Sequence, residues 1–255
     1  MSAAHEIDHR IVGDDMQAVI ITLDPGEAVQ AEAGAMMFLE DGIEMNTETG
    51  GGLMKGVKRI VAGESFFITT FANQGHRASK CAFAAPYPGK ILSVNLGETG
   101  PILCQRDAYL CSAYGIEVSV AFTKRLGAGF FGGEGFILEK LAGDGLAFIH
   151  AGGTLLKKDL VKGERLRVDT GCIAAFEERV EYNIEWVGGF KTAFFGGEGL
   201  FFATLTGPGT VYMQTLPFSR LADRVLAASV LNRGETRAGG LFGGLSGLTG
   251  GDRGF

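Results

Sequence analysis

Carboxylates set among glycines are the residues whose type and spacing could first do chemistry in this 255-residue chain. The stretch FFGGEG occurs at Phe130–Gly135 and again at Phe194–Gly199. Glycine-rich loops can wrap phosphates through their backbone N–H groups. GAGFFG (127–132) also fits the spacing G-x-G-x-x-G. That motif holds a dinucleotide only between a strand and a helix, with an acidic residue about twenty positions on. Here the strand-like GEGFILEKL follows, and the counterpart TAFFGG lacks the first glycines. The motif therefore reads as a structural corner. Its glycines let backbones approach and its Phe pair supplies apolar contact.

Other reactive side chains are scattered. His5, His9, His76 and His150 form no H-x-H or H-E-x-x-H pair, which counts against a metal centre. His5 and His9 stand four apart, as on one helix face, but near a terminus they read as solvated. Cys81, Cys104, Cys111 and Cys172 lie far apart among small apolar neighbours. They read as buried thiols rather than zinc ligands. No G-x-S-x-G elbow occurs, and Gly244–Gly247 is not one. Ser-His-Asp or Cys-His partners meet in space rather than in sequence, so those arrangements stay open.

The elements that carry these residues repeat. FFGGEGFILEKLAGDG (130–145) and FFGGEGLFFATLTGPG (194–209) share a register with IVAGESFFITTFANQG (60–75). The signature residues are Gly63 and Glu64, then Gly133, Glu134 and Gly135, then Gly197, Glu198 and Gly199. Phe71, Leu141 and Leu205 follow each Glu by seven residues, and Gly75, Gly145 and Gly209 by eleven. Gly-Glu opens each unit at Gly26, Gly97 and Gly163, the middle copy with a two-residue insertion. Three tandem copies are expected. Each repeated Glu could accept neighbouring backbone N–H groups or hold a cation between units, though no companion ligands recur beside it.

Each unit reads as short strands. VQAEAGAMMF, ILCQRDAYL and LRVDTGCIAAF alternate in part. ESFFITTF and EGLFFATL are near-continuous apolar runs, as in strands buried on both faces. Gly143–Gly145 and Gly207–Gly209 fit hairpin turns. Two helices are expected. LMKGVKRIV (53–61), in the first unit, puts Lys55, Lys58 and Arg59 on one face. SRLADRVLAASVL (219–231) follows Pro217 and Phe218 with Ser219 as its cap.

The expected fold is mostly β: three tandem, short, double-stranded β-helix-like repeats with those two helices. An N-terminal strand segment (1–25) precedes repeats 26–96, 97–162 and 163–218. A C-terminal helix (219–232) and a flexible Gly-rich tail (233–255) follow, and the repeats form one domain. A unit of this size buries too little alone, so the copies share a core. The outer edges of the first and last units call for closure by a symmetric oligomer.

Net charge is −6, with 41 glycines against 6 prolines. The acidic balance counts against nucleic acid as a partner. No signal peptide, transit peptide or bilayer-length apolar run is seen, so a cytoplasmic setting is expected. The strip Lys55, Lys58 and Arg59 could touch an acidic protein or a membrane surface from outside.

AGESFFITTF after the basic LMKGVKRIV, the GxGxxxAxxG glycine spacing and the closing VYMQTLPFSRLADRVL resemble the altered-inheritance-of-mitochondria protein 24-like family. The likeness covers roughly 7–232. It implies a fold related to the tryptophan RNA-binding attenuation protein and three-unit chains that trimerise into nine-unit rings. The fungal mitochondrial member is associated with inner-membrane organisation. The family assigns no catalytic residues, so none carry over. The expected function is a non-enzymatic homotrimeric scaffold or binding module without cofactor or metal. The alternative is a small-ligand-responsive regulator with its ligand between repeats or subunits.

Overall fold

In the computed structural model, residues 4–46, 68–124, 136–186, 201–226 and 228 are described. In chain order the strands are β1 (Asp8–Val12), β2 (Ala18–Leu23), β3 (Ala28–Glu32), β4 (Met36–Leu39), β5 (Ile43–Asn46), β6 (Ile68–Asn73), β7 (Ser79–Ala84) and β8 (Gly89–Asn95). A helical turn, α1 (Leu96–Thr99), leads to β9 (Ile102–Gln105), the 3-10 turn η1 (Arg106–Ala108), β10 (Tyr109–Ala113), β11 (Glu117–Lys124), β12 (Phe136–Ala142), β13 (Leu146–Gly152) and β14 (Leu155–Leu160). Then come β15 (Arg165–Asp169), the 3-10 turn η2 (Thr170–Cys172), β16 (Ile173–Glu177), β17 (Glu181–Trp186), β18 (Phe201–Thr206) and β19 (Gly209–Gln214). A helix begins at 218, one residue before the expected cap, and is described through 226. Residues 1–217 and 218–255 form two compact units.

Four antiparallel sheets result, in the orders β1-β2-β7-β4, β5-β6-β3-β10-β13-β8, β11-β12-β9-β16-β19-β14 and β15-β18-β17. β3, β9 and β15 each pair with a later strand, β6, β12 and β18. β4, β10 and β16 pair with β7, β13 and β19, and each carries a bulge near its start, between Met36 and Phe38, Tyr109 and Cys111, and Ile173 and Ala175. Two further pairings join these sets: β3 with β10 and β9 with β16. They are called here the first and the second joint.

The apolar runs do not become strands buried on both faces. β6 alternates half-buried and buried residues, ITTFAN, from end to end, so one face meets the core and the other lies near the surface. Nor do Gly143–Gly145 and Gly207–Gly209 close hairpins. β12 and β13 lie in different sheets, as do β18 and β19, so these glycines turn a corner between layers. Gly100, rather than Gly97, matches Gly26 and Gly163. All three have positive φ (76°, 88° and 80°) and stand two residues before β9, β3 and β15. Only glycine adopts that backbone without strain. Gly97 instead lies inside α1, whose first turn Asn95 caps by accepting from the Gly97 N–H.

Two apolar clusters fill the layers. One gathers Val29, Phe71, Phe83 and Phe148 from the first joint's layers with Ile102 and Cys104 of β9. The other gathers Leu103, Phe136, Leu138, Phe176, Leu205 and Val211 around the second. Phe71, Phe83, Phe136, Phe148 and Phe176 are each at most 2% exposed. Burying each such ring contributes roughly 1.5–3 kcal/mol.

Candidate functional site: the polar first joint

At its central pair the first joint holds buried polar groups that the second replaces with apolar ones. On β3, Gln30 donates through Nε2 to Ser112 Oγ at 3.1 Å and to the Ile116 carbonyl at 2.6 Å. Tyr109 donates its hydroxyl to the Gln30 carbonyl at 3.3 Å and shares a 3.0 Å hydrogen bond with Ser112. The pairing puts Ser112 directly across from Gln30. The same places in the second joint hold Phe176 and Leu103. Burial pushes the Tyr109 phenol well above its usual range, so it acts as a neutral donor.

Beyond Gln30 the strand ends at Glu32, and charges collect there. Burial raises the Glu32 carboxyl to about 7, with Asp107 adding to the rise and Arg106 opposing it. Arg106 and Asp107 come from η1. Glu139 of β12 is 1% exposed, and neither of its oxygens has a hydrogen-bond partner. Burial pushes it well above the carboxylate range, helped by Glu32.

His150 of β13 completes the cluster. It is buried, its Nδ1 has no hydrogen-bond partner, and its ring meets the Tyr87 ring edge-on at 4.6 Å. The Tyr87 hydroxyl donates to the Asp107 carbonyl at 3.3 Å. Burial lowers the imidazole to about 4, partly offset by a hydrogen bond to the Tyr87 backbone. His150 is therefore neutral near pH 7. The matching place on β19 holds Gln214. Its Nε2 donates to Gln105 Oε1 at 3.1 Å and to the Gly171 carbonyl at 2.9 Å, while its Oε1 accepts from the Gly152 N–H at 2.9 Å.

The arrangement can hold protons and hydrogen-bond donors. Reactive thiols do not contribute to it. Burial raises Cys81 to about 12 and pushes Cys104 and Cys111 up as well, where thiolate chemistry is suppressed. Among the described residues no group of three or more His, Cys, Asp and Glu side chains could hold a metal.

Most residues singled out from the sequence are elsewhere. Gly63, Glu64, Gly133, Glu134, Gly135, Gly197, Glu198 and Gly199 lie outside the described residues, as do Lys55, Lys58, Arg59, the 53–61 helix and the 233–255 tail. His5 and His9 do not share a helix. His5 Nδ1 accepts from the Ala28 N–H at 2.8 Å, and His9 lies on β1 with its ring 4.8 Å from that of Phe148. Three of the four cysteines are buried, but Cys172 is only partly so. Glu139 was missed although a signal existed. Counting five residues on from Glu64, Glu134 and Glu198 gives Thr69, Glu139 and Ala203, so the acid stands where the two like-spaced stretches have a small side chain.

A family model described as "Mitochondrial biogenesis AIM24" matches residues 9–216. An uncharacterized protein of Streptococcus pyogenes serotype M6 is 29% identical over 212 residues, covering 80% of this chain and 83% of its own. A crystal structure of a Streptococcus pyogenes protein superposes with a TM-score of 0.73 at 24% identity. The match covers 88% of this chain and all of that one, a likeness of fold. Agreement of the model over both joints places the chain in one family: it belongs to the mitochondrial biogenesis AIM24 family.

Proposed function

We propose that this protein is a non-enzymatic β-ring scaffold or binding module, built from three tandem repeats per chain and three copies per ring. The carrying observation is an imbalance between edges. In the two joints the strands that meet the preceding unit, β10 and β16, are buried at every residue. Their counterpart β4 is exposed: Met36 at 41%, Met37 at 58% and Phe38 at 39%. On the opposite side β3 is mostly buried and β9 fully buried, whereas Arg165 and Arg167 of β15 are exposed. Open edges of this kind invite pairing with another chain.

Continuing the register of the two joints sets β15 of one copy against β4 of the next. Phe38 then faces Val168, Leu39 faces Arg167 and Glu40 faces Leu166 of the neighbouring copy. The contact is head-to-tail, so it closes only as a ring. Three copies is the number that the family resemblance implies. The ring faces, rather than a catalytic pocket, would be the working surface. Among the described residues no helix is long and apolar enough to cross a membrane, and a peripheral protein or membrane partner is part of this reading.

Native mass spectrometry of gently purified protein tests it. The expected mass is about 81 kDa, three times 26.9 kDa, plus that of any retained partner. Phe38→Asp should reduce the assembly to single chains. At an exposed position it should leave the fold within about 0.5 kcal/mol. A wild-type protein that stays monomeric at micromolar concentration would remove the ring.

A further inference from the structure

Glu139 faces Cys104 across the β12–β9 pairing with both oxygens unpartnered. An ionised carboxylate there would lose its hydration and gain no hydrogen bond in return. The titratable groups around it come from each neighbouring element: Glu32 ending β3, Arg106 and Asp107 of η1, Cys104 of β9 and Tyr109 of β10. Cys104 and Tyr109 are both pushed upward, chiefly by burial and partly by Glu139 itself. Neither carries charge near neutral pH. Arg106 is the cation that acts on Glu139, and it acts on Glu32 as well. Three carboxyls thus face one guanidinium, and no metal-holding group of side chains exists among the described residues. The occupant that fits is a proton.

We infer that Glu139 of β12, together with Glu32 at the end of β3, is a proton-holding pair between the sheets that carry the two joints, with Glu139 a neutral carboxylic acid in the native protein, so that rising pH weakens the packing there. The inference does not depend on the ring. It lives inside one chain and would stand if the protein were monomeric.

The sign follows from linkage. A carboxyl whose native value is raised keeps its proton in the folded chain after the unfolded chain has lost it. The stability it contributes is full below the ordinary Glu value of 4.5 and falls as pH rises, through about 7 for Glu32 and in the same direction for Glu139. Each retained proton lowers the folding constant about tenfold per pH unit in that window.

Denaturant unfolding of the full chain and of Glu139→Gln, at one protein concentration from about pH 5 to 8, measures the effect. Titrations common to both proteins cancel in the ratio of their folding constants. The wild-type-to-variant ratio should fall about tenfold per pH unit. Infrared spectroscopy gives a second readout that needs no stable variant. At about pH 8, above the ordinary Asp and Glu range, the wild type should show the C=O band of a protonated carboxyl, and Glu139→Gln, where folded, should lack it. A ratio that does not change with pH overturns the proposal. So does a wild-type spectrum with carboxylate bands alone, which would leave a buried water or ion as the occupant.

Discussion

The two joints share a backbone and differ in chemistry. Each sets two strands side by side in antiparallel register with a bulge in the later strand. In the second joint Phe176 faces Leu103, buried Glu177 faces Ile102 and is held by Arg179, and the strand end closes into an amide network around Gln214. In the first, Ser112 faces Gln30, and the strand end holds Glu32 with Arg106, Asp107 and His150 nearby, while Glu139 feels the charges of the first three from β12, the strand paired with β9. The main-chain ladder fixes where strands lie and is indifferent to side chains. The same scaffold can therefore be tightened by apolar packing or made sensitive to pH by buried titratable groups. Buried polar groups are stabilising only when fully satisfied. Gln214 in the second joint meets that condition, while His150 Nδ1 beside the first joint and Glu139 on β12 do not.

Substitutions that exchange features between the joints test this contrast. The largest loss should come from Phe176→Ala, which empties a fully buried site of the second joint. About 3–5 kcal/mol is expected, read from urea midpoints with the slope unchanged. Next is Gln214→Leu. It strands the Gly152 N–H, the Gln105 carboxamide oxygen and the Gly171 carbonyl, and should cost about 2–3 kcal/mol. A large loss from Gln214→Ala with little from Gln214→Glu, which keeps the volume and removes the amide donor, would point to volume rather than hydrogen bonding. In the first joint, Ser112→Ala removes one member of a three-residue network, with an expected cost of about 1 kcal/mol. If it matched the loss from Phe176→Ala, the distinction between an apolar and a polar joint would be wrong.

The smallest effect near neutral pH, and the most specific, belongs to His150→Gln, which copies the side chain of Gln214. The native imidazole titrates at about 4 against an ordinary 6.5, so only the unfolded chain takes up its proton between those values. The stability linked to neutral His150 is present above about pH 6.5 and is lost as pH falls through about 4. The variant should flatten the acid limb of a stability-against-pH curve by up to one proton and leave the alkaline limb unchanged. This slope opposes that of Glu32 between 4.5 and 6.5, and Glu139 adds a second slope of the carboxyl sign, so wild-type stability should fall there by about one proton's worth and more steeply above it.

Part of the contrast was already readable. The shared spacing from Glu64, Glu134 and Glu198 located β6, β12 and β18 and aligned Phe71, Leu141 and Leu205, each of which faces a core-lining residue of β3, β9 or β15. The same register isolates Glu139. What it could not give is burial. Glu139 lies beside Lys140 in a strand whose alternation would put one of the two outside. Its pattern instead buries Leu138 and Glu139 in succession, because β12 is covered by β9, β11 and η1 together. The error at Gly97 has a similar origin. Gly-Glu recurs in sequence, but Gly97 falls in a helical turn and the positive-φ glycine before β9 is Gly100.

The sequence by itself determined that the chain is mostly β, where its strands run and that it resembles the AIM24 family. These follow from alternation, glycine spacing and motif, which are local along the chain. Only the tertiary structure decided which strands meet, and so which side chains share a low-dielectric interior. Glu32, Glu139 and His150 are spread across more than a hundred residues of sequence. Their protonation depends on burial by strands from elsewhere in the chain, and no single segment carries that information.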